Sequence, residues 1–240
     1  MTIRDPYALI ANALRATRRP GVRSSSHGPR DVFCYAALGD SFTAGRGCRP
    51  GESWADRLAT ALGAAHSPLG YFNLATDGAT SADVLSHQVG PALQLEPDLV
   101  TVICGANDVL ETVRPDVDGY AERLGEIFDR LREGLPHVAV LTATTPENWR
   151  FLDLRPRTRQ RVVSGIQAIN GATRTVARQR GVPCLDVVGH PGLDDPRNFC
   201  DDGLHPSPAG HERAAVELGR ALRSQFGINR ATAPEEKEVR

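Results

Sequence analysis

Between residues 32 and 226 the chain switches repeatedly between two hydrophobic periods. Apolar, β-branched or aromatic runs fall at 32–38, 71–75, 99–104, 138–143 and 183–188, and helical patterns fill 54–62, 81–93, 120–135, 157–180 and 209–226. The short runs are apolar without alternation, as strands covered on both faces must be, and strand–helix alternation of this kind makes a parallel sheet. The pattern therefore predicts an α/β fold with helices on both sides of a five-stranded sheet. Such sheets bind their ligands outside the carboxyl ends of the strands. No internal repeat marks a solenoid.

The ends differ from this middle. Residues 1–30 carry Arg4, Arg15, Arg18, Arg19, Arg23 and Arg30 against the single acid Asp5, and close on Ser24-Ser25-Ser26-His27-Gly28-Pro29. That stretch reads as a basic flexible arm, and residues 229–240, polar and containing Pro234, as a tail. The expected catalytic domain is 31–228. The first twenty residues lack the continuous apolar core of a secretory signal, and the apolar runs are strand-length, too short to span a membrane. A cytoplasmic protein without stable membrane association is the expectation. A net charge of -1 offers no basic excess for nucleic acid. The sequence leaves oligomeric state open. Cys34, Cys104 and Cys184 fall in strand-like runs, Cys48 and Cys200 in loops, and all five read as reduced thiols.

The turns after the strands hold the chemistry-bearing residues. Gly39-Asp40-Ser41 follows the first strand, Asp77-Gly78 the second, and Gly105-Ala106-Asn107-Asp108 the third, while Asp201-Asp202-Gly203-Leu204-His205-Pro206 precedes the last helix. Singly, each has an ordinary reading. Ser41 would cap a helix, Asn107 would make a turn, and His205 would be structural beside Pro206. Together they form the set that acyl transfer needs: a nucleophile, a base, a group that orients the base, and donors for the developing oxyanion. Ser41 supplies the oxygen, His205 the base, and Asp202 a carboxylate that can fold back onto the imidazole. The backbone N–H groups of Ser41 and Gly78 and the amide of Asn107 are the candidate oxyanion donors.

These four blocks, Gly39-Asp40-Ser41, Gly78, Gly105-x-Asn107-Asp108 and Asp202-x-x-His205, resemble the signature blocks of the SGNH, or GDSL, hydrolases in order and spacing. The resemblance covers most of the chain but neither end. It implies a flavodoxin-like three-layer α/β/α fold and hydrolysis of a small-molecule ester without a cofactor or metal. It also implies the roles of nucleophile (Ser41), oxyanion donors (Ser41, Gly78, Asn107), orienting acid (Asp202) and base (His205).

Other templates fit less well. An α/β-hydrolase elbow needs Gly-x-Ser-x-Gly, but residue 43 is Thr. A metal phosphoesterase needs ligand pairs such as His-x-x-x-His, which the chain lacks. An acyltransferase would share the acyl-enzyme, and a binding module would share only the fold. Trp149, Phe151 and Phe199 are expected to line an acyl pocket. Asp40 is expected to brace the nucleophile turn, and Arg46 and Arg49 to be solvated loop residues.

Overall fold

The structure, a computed structural model, describes residues 32–228 except 148 and 150. The expected arm at 1–30 and tail at 229–240 lie outside the described residues. The first strand, β1 (Phe33–Gly39), sets the architecture. Tyr35 and Ala37 point to one face and Ala36 and Leu38 to the other, and all four are fully buried. A strand with no wet face has to be covered twice.

Around it the sheet is wholly parallel, in the order β2-β1-β3-β4-β5, with β2 at Leu69–Asn73, β3 at Leu99–Ile103, β4 at Ala139–Ala143 and β5 at Cys184–Leu185. Helix α1 is the single turn Ser41–Ala44 and α2 is Trp54–Gly63. Helix α3 is built from Ser81–Asp83, a π-helical turn Val84–Gln88, and Val89–Leu95. Helices α4 (Ala106–Leu110), α5 (Val117–Gly134), α6 (Pro156–Gln179) and α7 (Pro208–Phe226) complete the layers. Helices α2 and α7 bury Trp54, Leu58, Leu62, Leu218 and Leu222 on one face, and α3, α5 and α6 pack on the other. The result is the three-layer α/β/α arrangement expected from the motif blocks.

Of the elements that depart from the expected bounds, three show a local cause. The second strand runs two residues earlier than 71–75, because the Asn73 side chain accepts the Ala75 N–H at 3.2 Å and turns the chain away. The fifth shrinks to two residues. Asp186 Oδ1 accepts from the Val188 N–H at 3.1 Å and Thr144 Oγ1 from the Val187 N–H at 2.9 Å, so the backbone leaves the ladder after Leu185. The helix at 81–93 is interrupted by its π turn, where the Val89 N–H reaches back to the Val84 carbonyl. Pro91 supplies the reason: it has no N–H for the His87 carbonyl, and its ring crowds that group.

His211, fully buried in the first turn of α7, joins three segments. Its Nδ1 accepts the Trp54 N–H of α2 at 3.2 Å, so Nε2 carries the proton and donates to the Arg46 carbonyl at 3.1 Å. Burial holds its pKa below the ordinary value, against the opposing pull of the Arg46 carbonyl. Among the described residues no helix is long and apolar enough to cross a membrane, and all five cysteines are free thiols.

The sign of the His211 effect follows directly. Below about pH 6.5 the unfolded chain binds a proton that the folded imidazole refuses, so stability is full above that pH and falls as the pH drops toward the depressed folded value. Melting temperatures measured across this range should fall for the wild type and fall less steeply for His211→Gln; equal slopes would show that His211 does not titrate in this way.

Candidate active site

Ser41 is presented by an extreme of backbone packing. At Gly39, φ is +153°, and a Cβ there would stand 2.1 Å from the Ile103 carbonyl oxygen. Only glycine fits, and β1 thus ends hard against β3. Asp40, not Ser41, then caps the α1 turn: its Oδ1 accepts the Phe42 N–H at 3.0 Å. The ordinary reading of Ser41 as a capping serine does not describe its place, since the neighbouring carboxylate does that work and leaves the Ser41 hydroxyl to other partners.

That partner comes from 164 positions downstream. Ser41 Oγ lies 3.0 Å from His205 Nε2, and His205 Nδ1 lies 2.6 Å from Asp202 Oδ2. The other Asp202 oxygen accepts the backbone N–H groups of Leu204 and His205, each at 2.9 Å. Burial opposes ionisation of Asp202, but the hydrogen bonds from the His205 ring and from these two N–H groups outweigh it and hold the pKa below the usual carboxylate range. An ionised Asp202 accepts from Nδ1–H, which leaves Nε2 free to accept the Ser41 proton. The turn itself is framed by the Cys200 N–H to the His205 carbonyl at 2.8 Å and the Ser207 N–H to the Asn198 carbonyl at 2.9 Å. At Gly203, φ +66°, a Cβ would stand 2.1 Å from the Phe151 carbonyl oxygen, so the turn is also pressed onto the loop after β4.

Gly78 and Asn107 line the same cavity as Ser41 and His205. Gly78 has φ +78°, a left-handed conformation that suits glycine. The Asn107 Nδ2 donates to the Ala79 carbonyl at 3.0 Å, which ties the loop after β3 to the loop after β2. A second tie comes from Asp108, whose carboxylate accepts the Ser81 N–H at 2.8 Å and the Ser81 hydroxyl at 2.5 Å, and lies 3.3 Å from Arg123. Arg123 Nε in turn donates to Ser81 Oγ at 2.8 Å. Asn73 Nδ2, donating to the Thr43 carbonyl at 2.8 Å, fastens α1 to the end of β2.

The cavity holds about 330 Å³ and is walled mainly by apolar side chains, among them Ile103, Trp149, Leu185, Phe199 and Leu218. Trp149 is almost fully buried and joins the core while facing this space. Phe199 lines it too. Phe151 does not; its ring packs on Phe199 with centroids 5.1 Å apart. Arg46 lines the cavity and lies 3.8 Å from Asp77, whereas Arg49 is exposed outside it. Sequence reasoning missed Leu185, Leu218 and Gln88. The first two read only as core residues of β5 and α7, and the single signal for Gln88 is a polar side chain on a buried helix face. Its carboxamide accepts the Gly39 N–H at 2.8 Å and donates to the Gly39 carbonyl at 2.9 Å.

Asp40 is nearly inaccessible, at 5% exposure, and its pKa is pushed up to about 7, chiefly by burial, against the pull of the Phe42 N–H. A carboxyl whose folded pKa is raised adds its full stability below the unfolded value, and loses it as the pH rises through the folded one. The Asp40→Asn variant keeps the capping oxygen without the charge. Its melting temperature relative to the wild type should therefore rise between about pH 5 and pH 8; a difference that stays constant over that range would show Asp40 to be ionised throughout.

Comparison with known proteins gives the family and the fold. The sequence profile of the GDSL-like Lipase/Acylhydrolase family matches residues 37–213. The chain is 28% identical over 197 residues to a GDSL lipase of Mycobacterium tuberculosis, covering 76% of this chain and 78% of that one. It is 25% identical over 191 residues to an arylesterase of Vibrio mimicus, covering 77% and 86% respectively. The fold superposes on an extracellular lipase of Streptomyces rimosus with a TM-score of 0.62 at 20% identity, over 81% of this chain and 100% of that one.

Proposed function

Because the chain belongs to the GDSL-like Lipase/Acylhydrolase family and is a serine esterase acting on ester bonds, we propose that it cleaves carboxylic esters through an acyl-enzyme on Ser41. The observation that carries this reading is the unbroken chain Ser41 Oγ to His205 Nε2 at 3.0 Å and His205 Nδ1 to Asp202 at 2.6 Å.

In the first step His205 Nε2 takes the Ser41 proton as Oγ attacks the ester carbonyl carbon. Asp202 holds the ring and stabilises the imidazolium that forms. The carbonyl π electrons move onto oxygen, and that oxyanion is met by the backbone N–H groups of Ser41 and Gly78 and by the Asn107 amide, which has a second N–H beyond the one given to Ala79. Collapse expels the alcohol, which takes the proton from His205. Water, deprotonated by the same imidazole, then releases the acid and restores Ser41. The domain that performs this is 31–228. No step requires a metal or an organic cofactor.

The apolar walls of the cavity suit a hydrocarbon acyl chain. Its volume of about 330 Å³ is near the lower bound for ligand pockets. Trp149 and Phe199 form part of the surface such a chain would meet.

Replacement of Ser41 by Ala should abolish turnover and labelling by a fluorophosphonate while the far-UV dichroism stays native; retained turnover would overturn the mechanism. Loss of one oxyanion donor typically costs about 10²–10³ in kcat, and Asn107→Ala should show a fall of that order on p-nitrophenyl esters, with a KM close to the wild type. Near-normal kcat in that variant would remove Asn107 from the set.

A further inference from the structure

In a parallel sheet the N–H and C=O of one strand residue point to the same neighbour, and every second residue faces the same side. Along β1, Ala37 faces β2, and its carbonyl accepts the Leu74 N–H at 2.8 Å. The β1–β2 register ends there, at Ala37 opposite Asn73. Two residues on, the N–H and C=O of Gly39 face the same way, but β2 has already turned off. Thr76 N–H reaches the Gly39 carbonyl at 3.2 Å, and the Gly39 N–H has no strand to meet.

The Gln88 side chain stands in that gap. Its Oε1 accepts the Gly39 N–H at 2.8 Å, and its Nε2 donates to the Gly39 carbonyl at 2.9 Å, with the residue 3% exposed. A carboxamide has the donor and acceptor of a peptide group, so it substitutes for the missing strand residue. It is delivered by the π turn Val84–Gln88, the local widening of α3. Such turns are rare and concentrate at functional sites. Gly39 cannot shift to escape this clamp, because its other side is pressed on the Ile103 carbonyl. The peptide that Gln88 holds leads directly into Asp40 and Ser41.

We propose that Gln88 is a positioning residue for the nucleophile: its carboxamide, acting as a one-residue extension of the sheet, fixes the Gly39 peptide and thereby the direction of the Ser41 N–H and Oγ. This rests on the reading of Ser41 as nucleophile and adds a residue outside the motif blocks to the reaction. The structural alternative, that Gln88 only stabilises the fold, makes a different statement. It lowers the melting temperature and leaves the rate of the folded enzyme unchanged.

Two variants separate these. Gln88→Met keeps the volume and loses both hydrogen bonds. Gln88→Glu keeps the acceptor for the Gly39 N–H, and its carboxyl can donate to the Gly39 carbonyl only when protonated. Each is assayed well below its melting temperature with p-nitrophenyl butyrate and by the rate of fluorophosphonate labelling at Ser41. A misplacement of about 1 Å can cost roughly 10²-fold in rate, so kcat of Gln88→Met should fall about ten- to a hundredfold, with a parallel fall in labelling and little change in KM. For Gln88→Glu, the kcat ratio to wild type should climb as the pH is lowered from about 8 to about 5, since titrations common to both proteins cancel in the ratio.

A folded Gln88→Met with wild-type kcat and labelling overturns the proposal, as does a Gln88→Glu ratio flat with pH. If Gln88→Met fails to fold, the Gln88→Glu profile decides. Failure of the wild type itself to label at Ser41 would overturn the nucleophile reading instead, and this proposal with it.

Discussion

Residue 39 has no room for a Cβ, because the end of β1 lies against the carbonyl oxygen of Ile103. That contact brings the carboxyl ends of β1 and β3 together at the point where the strand order reverses, and the two turns that follow carry Ser41 and Asn107. In an open parallel sheet this is where a crevice forms, since the chain leaves neighbouring strands in opposite directions. A side chain at 39 would push β1 away from β3 and separate Ser41 from the loop of Asn107. The cavity between them follows from a backbone contact before any side chain that lines it is considered.

Geometry this close has to be held. The polar groups that hold it are not among the cavity's lining residues. Asp108, Ser81 and Arg123 lock the third-strand loop to the start of α3, and Asn73 locks α1 to β2. The Asp108 side chain is only 6% exposed, and the Ser81 donors and the Arg123 guanidinium supply its oxygens with partners. On the mechanism proposed above, a site prearranged in this way does not need to reorganise when charge develops on a substrate oxygen, which is where most electrostatic catalysis arises.

How much of this was readable beforehand depended on range. Strand and helix positions came from periodicity, which is a local property, and they held within a few residues except where a side chain redirected the backbone. Asn73 and Asp186 did so through short-range hydrogen bonds that hydrophobic patterning does not register. Ser41, His205 and Asp202 could be grouped because their spacing resembles a known set of blocks, although a distance of 164 positions carries no local signal. Gln88 belongs to no block, and its one signal, a polar residue on a buried helix face, does not say what it holds; only its three-dimensional neighbour at Gly39 does. Phe151 shows the opposite failure: its loop lies at the expected edge, but its ring packs on Phe199 and does not line the cavity.

Asp202 and His205 lie three positions apart, and the hydrogen bonds that Asp202 accepts come from the same turn. The bond from that imidazole to Ser41 closes a loop of most of the chain. Closing a long loop is entropically costly and is sustained only by the packed layers around it. The carboxylate–imidazole pair can therefore survive partial loosening of the molecule, whereas the hydroxyl–imidazole contact is sensitive to the closure of the whole sheet. The Ser41–His205 contact in this architecture is a gauge of tertiary integrity, read at a single oxygen atom.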